Sequence, residues 1–272
     1  MTVPPTSLLP LCQPLSEKPV MFTLEQHPTS KRGWHKSRKT LGDKLPLNRK
    51  QKKIRLEDLP KLEPRNANQR KAIESYRAGN DLVLSGYAGT GKTFLALNLA
   101  LEDILDKSTQ YHDLVIVRSI VPTRDIGFLP GDEDEKKEAY TGPYKSIFQE
   151  MFGCLTAWDN LKANNLLHFE STSFIRGITY NNAVIVVDEM QNLNYHELAS
   201  VITRIGKNCK IIFSGDYHQS DFHRDKEKEG INKFLDIIKI MKHFEIIDFK
   251  VEDIVRSGIV KDFIICEQQI LN

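Results

Sequence analysis

From about residue 65 onward, apolar positions alternate between short buried-strand runs and helical stripes. Residues 65–78 carry a helical pattern with Asn68 or Asn66 near its start, and Gly79-Asn80 breaks it. Leu82, Val83 and Leu84 form a short apolar run. Phe94, Leu95, Leu97, Leu99, Ala100, Ile104 and Leu105 then return at helical spacing. A buried parallel strand is expected over 114–117. Residues 133–152 read as helix, interrupted near Gly142-Pro143, because proline lacks the amide donor a helix interior needs. Weaker runs at 167–169 and 174–175 suggest short strands, and the near-continuous apolar run 183–187 is the clearest strand of all. Helix over 195–205, strand over 210–214, helix over 230–241 and strand over 244–247 follow. An amphipathic helix over 258–270 (Ile259, Val260, Phe263, Ile264, Ile270) closes the chain. This order predicts an α/β fold: one mostly parallel sheet with helices on both faces. There is no internal repeat.

Between the first strand and its helix stands Gly86-Tyr87-Ala88-Gly89-Thr90-Gly91-Lys92-Thr93, the pattern G-x-x-x-x-G-K-[ST] in its strand–loop–helix setting. Glycines let successive backbone N–H groups curl inward and face an anion. The N-terminus of the following helix adds partial positive charge. Lys92 is expected on the β- and γ-phosphates of a nucleotide, and the Thr93 hydroxyl on Mg²⁺.

Downstream, Val184-Ile185-Val186-Val187-Asp188-Glu189 is a strand ending in two acids. In P-loop proteins the Asp at that strand end holds the metal. The adjacent Glu189 is then placed to orient or deprotonate water. Taken alone, the two acids could also be read as caps of the next helix. Ile211-Ile212-Phe213-Ser214-Gly215-Asp216-Tyr217-His218-Gln219 is a further strand with a polar end, and Gln219 sits where an amide can sense a γ-phosphate. The loop after the second strand emerges at the same sheet edge. There Arg118 and Arg124 can meet phosphates of a nucleic acid and Phe128 can stack on a base.

Composition narrows the setting. Among 272 residues the net charge is +2, but residues 1–62 hold 13 Lys and Arg against 5 Asp and Glu, leaving 25 against 31 in residues 63–272. The first 62 residues, rich in Pro, Ser and Thr, read as a disordered basic arm able to hold phosphate backbones, with Trp34 as a stacking ring. Residues 1–20 carry prolines at 4, 5, 10, 14 and 19, which interrupt the apolar stretch a secretory signal needs, so Met21 is a candidate start. No apolar run approaches the ~18 residues of a membrane span, and no membrane partner is expected. Four scattered cysteines (Cys12, Cys154, Cys209, Cys266) fit a reducing, cytoplasmic compartment, and the eight histidines show no metal-site spacing.

Asp188-Glu189-Met190-Gln191 followed by Gly215-Asp216-Tyr217-His218-Gln219 resembles motifs II and III of superfamily 1 helicases, with Met190 in place of the usual small residue. Gln69 resembles the glutamine that reads adenine in those proteins; Tyr76 and Tyr87 are both candidates to stack on the base. Three further stretches are similar to PhoH-family signatures: Ile126-Gly127-Phe128-Leu129-Pro130-Gly131-Asp132 with Pro143-Tyr144 after it, Phe174-Ile175-Arg176-Gly177, and Asp253-Ile254-Val255-Arg256. A compact core behind a short basic arm is similar to phage-encoded members, which would place the protein in host cytoplasm.

The resemblance implies a single RecA-like P-loop ATPase domain over 63–272 that uses ATP and Mg²⁺ and acts on RNA or single-stranded DNA, with helicase-like remodelling. It implies Gln219 as γ-phosphate sensor, Arg256 as the arginine that neutralises transition-state charge, and Arg176 as a nucleic-acid contact. Superfamily 1 helicases close ATP between two lobes, and this core has room for one. A head-to-tail homo-oligomer, a ring such as a hexamer, is therefore expected. Two rivals stand beside this reading: a P-loop kinase of a small molecule, for which the acidic segment 132–138 is a poor lid, and a non-hydrolysing RNA-binding adaptor.

Overall fold

Six strands build one sheet in the order β3-β2-β4-β5-β1-β6, and every neighbouring pair is parallel. The strands are β1 (Asp81–Gly86), β2 (Asp113–Arg118), β3 (Leu167–Ser171), β4 (Ala183–Val187), β5 (Lys210–Gly215) and β6 (Phe244–Phe249). The structure is a computed structural model that describes residues 53–119, 133–172, 175, 177–216 and 225–271. All of these fall in one unit, Lys50–Asn272.

The alternation of side chains along each strand divides the core in two. Leu82, Leu84, Leu114, Ile116, Val184, Val186 and Ile212 point to one face. There they meet α1 (Ala67–Arg77), α2 (Lys92–Leu105), α3 (Glu133–Phe152) and α4 (Ala157–Ala163). Val83, Val115, Val117, Ile185, Val187, Ile211 and Phe213 point to the other, against α5 (Tyr195–Ile202) and α6 (Asp225–Ile240). α7 (Gly258–Leu271) follows β6. Because both faces are covered, the central strands read as unbroken apolar runs rather than alternating ones.

Local signals explain where the elements begin. Of the two asparagines near the start of α1, Asn66 is the cap: its side chain accepts from the Gln69 N–H at 2.7 Å. Asn194 and Glu197 form a reciprocal capping box that opens α5.

Two expectations need correction. The helix 133–152 is not interrupted: α3 runs straight through Pro143. Tyr140, Tyr144, Phe148 and Met151 recur every three or four residues and are all buried on one side, so packing holds the helix across the missing donor. The strand expected at 174–175 is absent at Ile175, which is buried in loop, and Phe174 lies outside the described residues. Among the α-helices of the described residues, the seven-residue α4 was not foreseen, having no period long enough to announce it. Ahead of residue 63, Ile54 and Leu59 are buried in the first core cluster. No helix among the described residues is long and apolar enough to cross a membrane.

Candidate nucleotide-binding site

Parallel pairing brings chemistry from distant parts of the chain to one sheet edge. Ser85 pairs with Gly215, Phe213 with Val187, and Val187 with Val117. The carboxyl ends of β1, β5, β4 and β2 therefore finish side by side, where ligands bind in open α/β sheets. The loop after β1, the acids after β4, Asp216 after β5 and Arg118 on β2 all line one cleft of about 620 Å³, a size typical of cofactor sites.

The loop from Gly86 to Thr93 wraps the N-terminus of α2. Gly86 has φ +117°, and a Cβ there would sit 2.0 Å from the Phe249 carbonyl oxygen of β6. Gly91, the N-cap of α2, has φ +84°. A side chain at Gly86 would have to move backbone, and one at Gly91 would be strained by its φ alone. Lys92 is buried, and its Nζ donates to the carbonyls of Gly86 at 2.6 Å and Tyr87 at 2.7 Å. Burial pulls the Lys92 ammonium below its ordinary pKa, while the charges of Asp216, Glu189 and Asp188 pull the other way. Thr90 Oγ1 donates to Tyr87 O at 2.9 Å, tightening the turn.

The two acids are held differently. Asp188 is 4% exposed, and both its oxygens are engaged. Oδ1 accepts from Thr93 Oγ1 at 2.8 Å, and Oδ2 accepts from the Tyr144 hydroxyl at 2.9 Å. Glu189 follows in left-handed backbone, φ 53° and ψ 46°, which turns its side chain out of the strand direction. A non-glycine residue in that region carries strain of about 1–3 kcal/mol, and such residues cluster at active sites. Gln191 Nε2 donates to Glu189 Oε2 at 2.5 Å, and Gln191 Oε1 accepts from the Asp216 N–H at 3.0 Å. The glutamine thus ties the acid to the end of β5. Burial first, and the neighbouring Asp188 charge second, raise the Glu189 pKa.

Other predicted residues take definite places. Gln69 braces the loop: its Nε2 donates to Thr90 O at 2.9 Å and its Oε1 accepts from the Arg65 N–H at 2.8 Å. One N–H and one lone pair of the amide remain, the donor and acceptor that a base edge would need. Tyr76 cannot stack there, because it is buried and its hydroxyl donates to Asp103 at 2.7 Å. Arg118 lines the cleft itself, with its guanidinium 5.8 Å from the Tyr140 ring centre and 5.9 Å from that of Tyr144. Arg256 lies against the phosphate loop of its own chain: a Cβ on Gly89 would be 3.0 Å from Arg256 Cγ, and the Val255 N–H donates to Gly89 O at 3.0 Å. No facing molecule is needed to bring this arginine to the loop. Gln219, Arg124, Phe128 and Arg176 lie outside the described residues.

Tyr144 and Gln191 were both in quoted motifs, yet neither had a role in the sequence reading. Tyr144 belongs to an apolar helical stripe and reads as core; only the fold aims its hydroxyl at Asp188.

The donor set suits a magnesium nucleotide. Thr93 Oγ1 and Asp188 Oδ1 converge as hard oxygen donors. The described residues hold no group of three His, Cys, Asp or Glu side chains able to hold a metal. A cation here would take its remaining ligands from phosphate and water, as Mg²⁺ does.

The PhoH-like protein family profile matches residues 61–267. Protein PhoH2 of Bacillus subtilis (strain 168) is 36% identical over 166 residues, covering 59% of this chain and 37% of that protein. Protein PhoH of Escherichia coli (strain K12) is 30% identical over 191 residues, covering 70% and 52%. The chain thus spans about half or less of the length of these two relatives. Among solved structures, the large terminase from a thermophilic bacteriophage, in complex with ADP, aligns at a TM-score of 0.43 and 13% identity, covering 74% of this chain and 49% of that one. With the loop, the acid strand and the six-stranded parallel sheet all in place, this chain is a P-loop NTPase domain and belongs to the PhoH-like protein family.

Proposed function

We propose that the protein hydrolyses ATP in a Mg²⁺-dependent way and couples turnover to binding and remodelling RNA or single-stranded DNA. The observation that carries this reading is the 2.8 Å bond between Thr93 Oγ1 and Asp188 Oδ1. It joins the phosphate loop to the acid strand across 95 residues of sequence and leaves Glu189 beside the same point. Backbone N–H groups of residues 86–93 and the Lys92 ammonium would grip the triphosphate, exchanging the loop's own carbonyls for phosphate oxygens. Thr93 and Asp188 would hold Mg²⁺, which when bound offsets phosphate charge. Glu189, raised in pKa and oriented by Gln191, would take the proton from a water attacking the γ-phosphorus, with ADP as leaving group. Arg118 and Arg256 supply cations at the cleft, and Gln219 would report the γ-phosphate.

Nucleic-acid coupling draws support from the charge of residues 1–62 and from Arg124, Phe128 and Arg176, which would contact the strand. The homo-oligomer draws support from α7, whose Ile259, Phe263 and Ile270 are 81%, 65% and 83% exposed. The deciding experiment is phosphate release with and without poly-RNA or single-stranded DNA, with Lys92→Ala as blank. Turnover that the nucleic acid stimulates is the expected result. Wild-type protein that binds ATP and releases no phosphate would overturn the hydrolytic reading. Because Arg118 lies among the acids, its removal should lower basal turnover; Arg124→Ala is the cleaner test of strand binding.

A further inference from the structure

Tyr144 is buried to 1% exposure in the middle of α3, in a cage of Trp158, Phe169 and Phe148. Its ring stacks on Trp158 at 6.3 Å and 25°, and lies 5.5 Å from Phe169. These rings hold the tyrosine so that its hydroxyl donates to Asp188 Oδ2 at 2.9 Å, with the Arg118 guanidinium also close to it. A phenol placed in so apolar a setting needs a partner, and a buried carboxylate oxygen needs a donor. Each supplies the other. The remaining oxygen of Asp188 is then the one that faces Thr93.

We propose that Tyr144 is a positioning residue: its hydroxyl pins one oxygen of Asp188 so that the other stands ready, with Thr93, for the metal of the bound nucleotide. The inference rests on the nucleotide reading above. It adds that α3, on the far side of β2 from the phosphate loop in sequence, sets the rotation of the acid through one hydrogen bond. Without the phenol, Asp188 Oδ2 is left buried without this donor, and the carboxylate can turn away from Thr93. Partners of this kind commonly change metal affinity or activity by about 10- to 100-fold when removed.

The test compares wild-type and Tyr144→Phe full-length protein, in which the ring and its packing are retained. Mn²⁺ is titrated onto each protein saturated with a non-hydrolysable ATP analogue, and free Mn²⁺ is read by electron paramagnetic resonance. The expected result is about a 10- to 100-fold rise in the Mn²⁺ concentration at half-saturation. Analogue binding in EDTA should remain within about twofold, since the phosphate loop itself is untouched. A second measurement, the rise in melting temperature given by Mn²⁺ over EDTA at saturating analogue, should shrink in Tyr144→Phe. In an Asp188→Asn background, Tyr144→Phe should bring no further loss. A half-saturation unchanged from wild type, with analogue binding intact, would overturn the positioning role alone. Wild-type protein that binds no analogue in either condition would overturn the nucleotide reading and this inference together.

Discussion

On the proposed mechanism, Glu189→Gln should separate turnover from binding more sharply than any other change at this site. The substitution exchanges one carboxylate oxygen for an amide nitrogen and alters little else. Glu189 Oε2 accepts from Gln191 Nε2 at 2.5 Å, and a new amide can present its own oxygen to that donor. Both residues meet the same left-handed backbone cost at φ 53°. Burial and Asp188 raise the pKa of this carboxyl, so the folded protein holds its charge at a penalty above the ordinary glutamate range. A neutral amide removes that penalty, and the melting temperature at pH 7 should stay level or rise. Turnover should fall steeply. A positioned general base supplies about 10²–10⁴ in rate, or roughly 3–5 kcal/mol of barrier. The assay is phosphate release at saturating Mg·ATP, run beside binding of a fluorescent ATP analogue and a thermal melt. Residual turnover above about a tenth of wild type would refute the base assignment, whose lower bound is about 10². Parallel loss of binding and turnover would refute the division of labour between the loop and the acid.

Three more outcomes follow from particular contacts. Gly86→Ala and Gly79→Ala both place a side chain at strongly positive φ, +117° and +100°, but only the first meets backbone, 2.0 Å from Phe249 O. Strain alone costs about 1–2 kcal/mol, roughly 2–8 °C for a domain of this size; Gly86→Ala must in addition part β1 from β6, so its melt should drop several times further, and equal drops would refute the close approach. Tyr76, raised well above its usual 10.0 by burial and then by Asp103, holds its proton in the folded state while the unfolded chain ionises. Its stabilising contribution is therefore complete below about pH 10 and lost as pH climbs through the folded pKa, so urea melts should weaken above pH 10 less steeply in Tyr76→Phe than in wild type. Arg256→Ala should lower turnover without recovery when mixed with Lys92→Ala protein, because Arg256 reaches the loop of its own chain; recovery on mixing would assign it to a neighbour's site.

Much of the fold was open to reading from the chain alone, because its signals are local. Glycine at 86, 89 and 91, each at positive φ, states a backbone conformation that few other residues tolerate. Apolar runs such as 183–187 report a strand covered on both faces wherever they occur. The α/β class, the phosphate loop and the acid strand all follow from such short-range grammar. Other properties belong to no single segment. Pro143 looks like a break until Tyr140, Tyr144 and Phe148 are seen to pack together on one core. Tyr76 reads as a free ring until its hydroxyl is found on Asp103, and Arg118 reads as a loop cation until the sheet sets it beside Tyr144 and the acids. Local conformation depends on a few neighbouring dihedrals and is written in neighbouring residues. Which oxygen of Asp188 meets Thr93, and which meets Tyr144, depends on strand order and helix packing across 95 and 44 residues, and only the folded chain decides it.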